Sequence, residues 1–233
     1  MSSALADALA FGTDALDIGS DILTPEQIEA GRSSLMMAVQ NVKSDYVINW
    51  HHTQLVEALE KVQSGEITRL MVFMPPRHGK SELVSRHFPA WCLGKNPAEK
   101  IISCSYSATL AAKMGRDVQN IMRTEEYRAM FSTRLKSGVI AKKGSASKKE
   151  TNLEFDVVNA SGGYVGAGVG GPIGGFGFSL GIIDDYFKNR EEAESKNRRD
   201  VLGDWYTSTF YTRREGRMSW CGTDRIVLTT TLW

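Results

Sequence analysis

The chain has 233 residues, 42% of them hydrophobic and 24% charged, which suits one globular domain with a sizeable core. Its formal net charge of +1 excludes a general attraction to nucleic acid, so any DNA contact must come from a local basic patch. Three scattered cysteines without metal-ligand spacing, and no apolar run long enough to span a bilayer, lead us to expect a soluble cytosolic protein without membrane contact.

The N-terminal stretch predicts two helices before any strand. Residues 24–27 combine an N-cap, a proline at the first helical position and a glutamine that closes a capping box, so a helix is predicted to about Gln40. A second helix is predicted after Trp50, with an apolar stripe that ends at Gly65.

From Arg69 onward, strands alternate with helices. The predicted order is strand 70–73, helix 79–93, strand 100–106, helices 107–122 and 125–131, hairpin 153–165, strand 180–183, helix 189–211 and strand 226–230. Strands joined by crossover helices form a parallel sheet with helices on both faces. We therefore predict an α/β fold with a mostly parallel central sheet.

A phosphate-binding loop is predicted at residues 73–81, Phe-Met-Pro-Pro-Arg-His-Gly-Lys-Ser, between a strand and a helix. Gly79 lets successive N–H groups point into one concavity at the positive end of the following helix. Lys80 then reaches the β- and γ-phosphates of ATP, and Ser81 binds Mg²⁺. The standard pattern has glycine where this chain has Met74, so a Gly-Lys-Ser helix start without a ligand is the alternative.

The rest of the loop is assigned to the same nucleotide. Arg77 either places a catalytic cation near the γ-phosphate or is solvated. The other loop residues assigned to nucleotide contact are Pro76, His78 and Glu82.

Two adjacent carboxylates follow the apolar residues 180–183 in a Walker B pattern. The carboxyl edge of a parallel sheet is where ligands of such folds bind. We predict that Asp184 binds Mg²⁺ and that Asp185 is the catalytic carboxylate that polarises the attacking water. Two aspartates beside a triphosphate require a cation, so Mg²⁺ is part of the prediction. Alone, the pair is more typical of a turn.

With both motifs placed, the chain resembles the ATPase domain of the large terminase subunit of tailed bacteriophages. The segments that carry the resemblance are 50–51, 75–81, 103–108, 162–177, 182–185, 191–195, 205–206, 212–213 and 231–233. The resemblance implies a P-loop NTPase of the ASCE type over residues 50–233, preceded by a partly flexible helical appendage over residues 1–49. We expect the C-terminal nuclease domain of such proteins, and its activity, to lie outside this chain.

The resemblance also implies cofactors and partners. Members of the family form rings of motor subunits at the capsid portal, where ATP hydrolysis with Mg²⁺ drives DNA into the procapsid. We therefore expect ATP and Mg²⁺ as cofactors and a homo-oligomeric ring docked at the portal in the host cell cytoplasm. The expected partners are double-stranded DNA, the portal protein and the small terminase subunit.

Carried over by position, the resemblance assigns further residues. Thr231 falls in the coupling motif that senses the γ-phosphate. The residues placed where the family holds adenine are Trp50, His51 and Gln54. Whether His51 and His52 contact adenine or pack beneath the phosphate loop is left open.

The chain departs from the family pattern at two places that affect the mechanism. Leu232 replaces an arginine common after the coupling threonine, and Phe176 stands where relatives often carry an arginine that acts across subunits. An arginine finger raises the rate roughly a thousandfold or more, so another residue should serve. The candidates are Arg116, Arg190, Arg213 and Arg214.

Two segments keep open interpretations. Residues 166–171 have the glycine spacing of a dinucleotide fingerprint without a helix start, which indicates either a flexible loop near nucleotide or DNA, or an irregular turn. The polar segment 134–151 is rich in lysines that either contact DNA phosphates or are solvated: Lys136, Lys142, Lys143, Lys148 and Lys149.

Two rival functions are also open. The first is a P-loop kinase that phosphorylates a small acceptor, which release of free phosphate without a phosphorylated product excludes. The second is a DNA- or capsid-binding module with an inactive loop, which an absence of Mg·ATP binding favours.

Overall fold

The computed structural model describes residues 22–136, 153–215 and 224–231, and its centre is a six-stranded sheet. The strands are β1 (Arg69–Met74), β2 (Lys100–Ser105), β3 (Glu154–Asp156), β4 (Gly163–Gly168), β5 (Leu180–Asp184) and β6 (Arg225–Thr231). Their order is β1-β6-β5-β2-β4-β3, and all neighbours run parallel except β3 and β4. The predicted, mostly parallel sheet is confirmed.

Helices pack on both sides of this sheet. They are α1 (Pro25–Ser33), α2 (Leu35–Val42), α3 (Trp50–Ser64), α4 (Phe88–Lys95), α5 (Ala108–Arg123), α6 (Glu125–Met130), α7 (Arg190–Glu194) and α8 (Lys196–Trp205). A π-type turn, Glu82–His87, runs directly into α4. A second π-type turn, Tyr206–Phe210, continues α8 into the 3₁₀ turn Tyr211–Arg213.

Alternating residues of the central strands point into two separate hydrophobic cores. On one face, Ile101 and Ile182 belong to a large core built with helices α1 to α6. On the other face, Ile102 and Ile183 pack with Trp205 in a smaller core. Period-two alternation in a sheet buried on both faces explains this division. It also confirms the prediction of helices on both faces.

The single N-terminal helix predicted from the sequence is two helices, because Ser34 has extended backbone angles (φ −123°, ψ 130°). A continuous helix would bond the Leu35 N–H to the Gly31 carbonyl. Instead the Leu35 N–H donates to Glu60 Oε1 at 2.7 Å, and the Gly31 carbonyl accepts from Trp91 Nε1 at 3.0 Å. Tertiary partners therefore satisfy both groups, and local sequence does not reveal them.

The appendage predicted over residues 1–49 is described from residue 22 onward. Leu35 and Val39 of α2 are fully buried in the large core. The described part of this segment thus packs against the remainder of the chain. The domain boundary at residue 50 stays a prediction.

The long helix predicted over residues 189–211 is also interrupted, at Ser195 (φ −69°, ψ 115°). The Arg199 guanidinium donates to the carbonyls of Ala193 and Glu194 at 2.8 and 2.7 Å. These are the last carbonyls of α7, which have no partner within their own helix. Capping by the arginine therefore stabilises the break between α7 and α8.

The predicted hairpin 153–165 is confirmed as β3 and β4, but its second strand continues to Gly168. Residues 166–168 belong to this strand, which pairs with β2, so neither of the two predicted forms of the glycine-rich stretch is correct for them. A Cβ at Gly168 would lie 2.8 Å from the Ala108 nitrogen, and one at Gly166 would lie 3.3 Å from the Ala111 carbonyl oxygen. The glycines let α5 approach the strand closely.

The remaining observations concern membrane spans, the cysteines and the lysine-rich segment 134–151. None of the described helices is long and apolar enough to cross a membrane. Cys92 and Cys104 are buried free thiols, and burial raises the pKa of Cys104 to about 12. Cys221 lies outside the described residues, as do four of the five lysines of the segment 134–151.

Candidate nucleotide-binding site

The phosphate loop and the paired carboxylates meet at the carboxyl edge of the sheet. The loop follows β1, while Asp184 ends β5. The Lys80 ammonium nitrogen lies 3.4 Å from Asp184 Oδ1 and forms a closer ion pair with Asp185 Oδ1. The sequence segments at 79–81 and 184–185 therefore belong to one site.

The phosphate loop has the curved backbone that the sequence predicts. Arg77 and Gly79 both have positive φ angles, 63° and 80°. A Cβ at Gly79 would lie 2.7 Å from both His52 Nε2 and the Tyr46 hydroxyl, so only glycine fits without displacing them. Met74 is the last residue of β1 and its side chain is buried in the large core. The absence of glycine at that position therefore leaves the turn intact.

His52 supports the loop from below. Its Nδ1 accepts from the Asn49 N–H at 3.1 Å, which leaves Nε2 to carry the proton and donate to the His78 carbonyl at 3.0 Å. Burial is the largest influence on His52 and lowers its pKa, which favours this neutral form. Of the two positions left open by the sequence, His52 therefore occupies the one beneath the phosphate loop.

The end of β6 joins the same cluster. Lys80 donates to Thr231 Oγ1 at 3.3 Å, and that hydroxyl donates to Asp185 Oδ1 at 2.9 Å. Asp185 has a positive φ of 47°, a costly conformation for a residue with a Cβ. Its N–H donates to the Thr229 carbonyl and its carbonyl accepts from the Tyr106 N–H, which hold it in place.

Asp184 is almost fully buried behind Lys80. Ser85 donates to Asp184 Oδ2 at 2.6 Å, and Thr229 donates to Oδ1. Neither hydroxyl was predicted from the sequence, although the sequence contains a signal for each. Ser85 lies four residues after Ser81 on one helix, and Thr229 lies two residues before Thr231 on one strand, so each shares a face with a predicted site residue.

Two adjoining cavities provide room for a nucleotide. One, of about 340 Å³, is lined by Pro75, Pro76, Arg77, Gly79, Lys80, Ser81, Glu82, Arg86, Asp185 and Thr231. The other, of about 550 Å³, is lined by Trp50, His51, Gln54, Leu55, Ala58, residues 70–75 and His78. They meet at Pro75, and their volumes are typical of small-molecule sites. All loop residues and all three adenine residues predicted from the sequence line one cavity or the other.

Rings cluster at the larger cavity. The His51 ring centroid lies 5.6 Å from that of Trp50 and 5.7 Å from that of His78. Trp50 is about three-quarters exposed, which leaves one face open to a planar ligand. His51 Nε2 is buried without a hydrogen-bond partner among the described residues. This wall therefore offers both stacking and polar contacts.

Glu82 lines the phosphate cavity but its carboxylate is already paired. It lies 3.2 Å from Lys43 Nζ and 3.6 Å from His87 Nε2, and it forms an ion pair with Arg86. Hydrogen bonding from His87, with further contributions from Arg86 and Lys43, holds the pKa of Glu82 well below its ordinary value. An ionised carboxylate repels phosphate, so the predicted nucleotide contact at Glu82 would have to come from its backbone.

The donors at this edge suit Mg²⁺. Asp184 and Asp185 offer carboxylate oxygens, and hydroxyls surround them, which is the oxygen-only set that this hard cation prefers. The glycine cradle at Gly79 and the adjacent ammonium of Lys80 suit a triphosphate. The residues present therefore fit both predicted cofactors.

The arginines considered for the finger lie in different settings. Arg214 is 3.3 Å from Asp224 and stacks on Tyr211, with its carbon CZ 3.5 Å from the ring centroid. It therefore has a structural partner beside the amino end of β6. Arg190 begins α7 and pairs with Glu194 at 2.6 Å. Phe176 packs against the smaller core. The identity of the finger stays an open prediction, and Leu232 lies outside the described residues.

The fold is that of a P-loop NTPase of the ASCE type. The feature that distinguishes this type is the insertion of one strand, here β6, between the phosphate-loop strand β1 and the carboxylate strand β5. The family model of the N-terminal part of the terminase large subunit, T4likevirus-type, matches residues 71–221. That is more than half of the chain, and the chain belongs to this family.

A solved structure supports the same fold. The crystal structure of the HK97 bacteriophage large terminase is similar with a TM-score of 0.50 and 11% sequence identity, over 80% of this chain and 33% of that one. The chain thus spans about a third of the length of that protein. None of the curated proteins matches.

Proposed function

We propose that this chain binds Mg·ATP at the carboxyl edge of its sheet and hydrolyses it to move double-stranded DNA into a viral procapsid. The observation that carries the proposal is the contact of Lys80 with both Asp184 and Asp185 beside the phosphate loop. Membership in the terminase large subunit family supports the packaging role.

Lys80 has the central part in nucleotide binding. Its ammonium is buried and shared between two carboxylates, so a triphosphate must draw it away from Asp185. The loop N–H groups and the helix end then hold the phosphates. Ser81 and Asp184 would hold Mg²⁺, which neutralises charge on the phosphates. Arg77 is exposed on the loop and is free to turn toward the γ-phosphate.

Asp185 would orient the attacking water. It faces the phosphate cavity, and its carboxylate is partly exposed while that of Asp184 is not. Thr231 bonds both Lys80 and Asp185, so departure of Lys80 changes the contacts at the end of β6. This link gives the coupling role of Thr231 a physical basis.

The larger cavity would hold the adenine. A base can stack on the exposed face of Trp50, and His51 Nε2 and the Gln54 amide can bond its polar edge. His78 connects this cavity to the phosphate loop.

The remaining partners follow from the packaging role. The chain would act in a homo-oligomeric ring at the portal protein, with the small terminase subunit, in the host cell cytoplasm.

A DNA-stimulated ATPase assay tests the proposal. Asp185→Asn should keep Mg·ATP binding but lower the turnover number roughly a hundredfold or more, because water activation is lost. Asp200→Asn, an exposed carboxylate on α8, is the matched control and should keep wild-type turnover. Undiminished hydrolysis in Asp185→Asn would remove Asp185 from the mechanism. A phosphorylated acceptor instead of free phosphate would favour the kinase, and no Mg·ATP binding would favour the binding module.

A further inference from the structure

Two hydroxyls from different elements donate hydrogen bonds to the Asp184 carboxylate. Ser85 Oγ donates to Oδ2 at 2.6 Å from the π-type turn before α4, and Thr229 Oγ1 donates to Oδ1 from β6. Both side chains are buried, with exposed fractions of 0 and 1%. Each carboxylate oxygen therefore has one neutral donor and keeps a further lone pair for another ligand.

Ser85 lies in the π-type turn Glu82–His87, which is not a regular helix. Pro89 has no N–H to donate to the Ser85 carbonyl, so a regular α-helix is interrupted there. The Phe88 N–H bonds instead to the Leu83 carbonyl, five residues back. Such widened turns change which side chains face inward and are frequent at functional sites. The turn in which Pro89 interrupts the regular helix is therefore the turn that carries the Ser85 hydroxyl.

Thr229 reaches Asp184 by strand register. The two residues are direct partners across β5 and β6, so their side chains share one face of the sheet. On the other side of β5, Ser105 is the direct partner of Asp184 in β2. Its hydroxyl is buried but has no hydrogen-bond partner among the described residues. Proximity in the sheet alone therefore does not produce the contact.

The two hydroxyls stabilise the buried Asp184 carboxylate when Lys80 moves away from it. Lys80 lies 3.4 Å from this buried carboxylate and must move when phosphate attracts it. A buried carboxylate without any partner is strongly unfavourable. Neutral hydroxyls keep Asp184 hydrogen-bonded during that exchange and do not compete with a cation. They also fix its orientation, as supporting hydrogen bonds do for metal ligands in general.

We propose that Ser85 and Thr229 are positioning residues that hold Asp184 ready to receive the divalent cation of the nucleotide. The inference rests on the proposed function, since it concerns the metal half of the same site. It predicts an effect on Mg²⁺ dependence without an effect on the part of ATP binding that needs no metal.

Calorimetric titration of ATP, in EDTA and over a series of Mg²⁺ concentrations, tests this proposal. Ser85→Ala and Thr229→Val should raise the Mg²⁺ concentration for half-maximal tightening of binding by about tenfold, the lower end of the range for lost supporting bonds. Their affinity for ATP in EDTA should equal that of the wild type. Thr229→Ser keeps the hydroxyl and should restore the wild-type Mg²⁺ midpoint. Ser105→Ala is the matched control and should leave it unchanged.

Three results are decisive. A wild-type Mg²⁺ midpoint in Ser85→Ala overturns the inference while leaving the proposed function intact. Equal weakening in EDTA and in Mg²⁺ also overturns it, because it indicates general damage to the loop. If the wild-type chain binds ATP neither in EDTA nor in Mg²⁺, the proposed function is overturned, and the inference with it. If Thr229→Val does not fold, Ser85→Ala decides alone.

Discussion

Lys80 and Asp185 form an ion pair across 105 positions of the chain, and the Thr231 hydroxyl bonds both of them. The ammonium is also 3.4 Å from Asp184, so two neighbouring carboxylates share one cation. Three strands that are separate in sequence are thereby tied together at one edge of the sheet. The arrangement has consequences for stability as well as for nucleotide binding.

Removing the shared cation should destabilise the protein. We predict that Lys80→Met lowers the free energy of unfolding by about 3 kcal/mol, because Asp184 loses its cation while remaining buried. Lys61→Met is the control, since Lys61 and Glu66 form an exposed pair at 3.9 Å, and it should cost at most about 0.5 kcal/mol. Urea denaturation at neutral pH measures both. Adding Asp184→Asn to Lys80→Met should recover part of the loss; an additive further loss would show that the charges do not interact.

A second buried ion pair lies at the opposite end of the sheet. Arg225 and Glu99 are both almost completely buried, 2.6 Å apart, and Arg225 also donates to the Gln63 carbonyl at 2.8 Å. We predict that Arg225→Met lowers the free energy of unfolding by about 3–5 kcal/mol, because Glu99 keeps an uncompensated charge. Arg69→Met is the control at a more exposed pair, where Asp224 retains Arg214. Equal losses in the two variants would contradict this account.

Replacing glycine by alanine should change the stability of the protein in opposite directions at two positions. Gly79→Ala places a Cβ 2.7 Å from His52 Nε2 at a φ of 80°, so it should lower stability by about 1–3 kcal/mol and weaken ATP binding. Gly203 lies within α8, and a Cβ added there would have nothing within 4 Å. Gly203→Ala should therefore raise stability by about 0.5–1 kcal/mol through helix propensity. Thermal unfolding distinguishes these signs directly.

The protonation of His52 should make stability depend on pH. Its folded-state pKa is lowered, so the unfolded chain binds the proton more readily than the folded one below the ordinary value of 6.5. Stability should thus be constant above about pH 7.5 and decline as the pH falls through 6.5 toward the lowered value. His52→Gln cannot take up this proton, and its decline over that interval should be smaller. Denaturant unfolding of the wild type and of His52→Gln from pH 8 to 5 measures these declines. Equal declines in the two proteins would assign the effect to other groups.

Sequence patterns identified the strands and the two motifs because those features depend on local order. Gly79, Lys80 and Ser81 follow a strand directly, and Asp184 ends another, so the rule that parallel strands present ligands at their carboxyl edge was enough to bring them together. The observed strand order is the one that the P-loop NTPase class of fold has.

The features that sequence analysis missed depend on contacts between distant residues. The break at Ser34 relies on Glu60 and Trp91, which satisfy backbone groups from other helices. The continuation of the predicted hairpin strand through residues 166–168 was missed because glycines that serve close packing with α5 have the composition of a loop. Ser85 was missed because its partner, Asp184, lies 99 positions away in the chain.

The most direct test of the central claim is a double-mutant cycle on Mg·ATP affinity with Lys80→Gln and Asp184→Asn. If both residues serve one metal-bound triphosphate, the wild type should bind Mg·ATP, each single variant should bind at least about tenfold more weakly, and the double variant should lose less than the sum of the two. Strictly additive losses, or wild-type affinity in either single variant, would contradict a shared site.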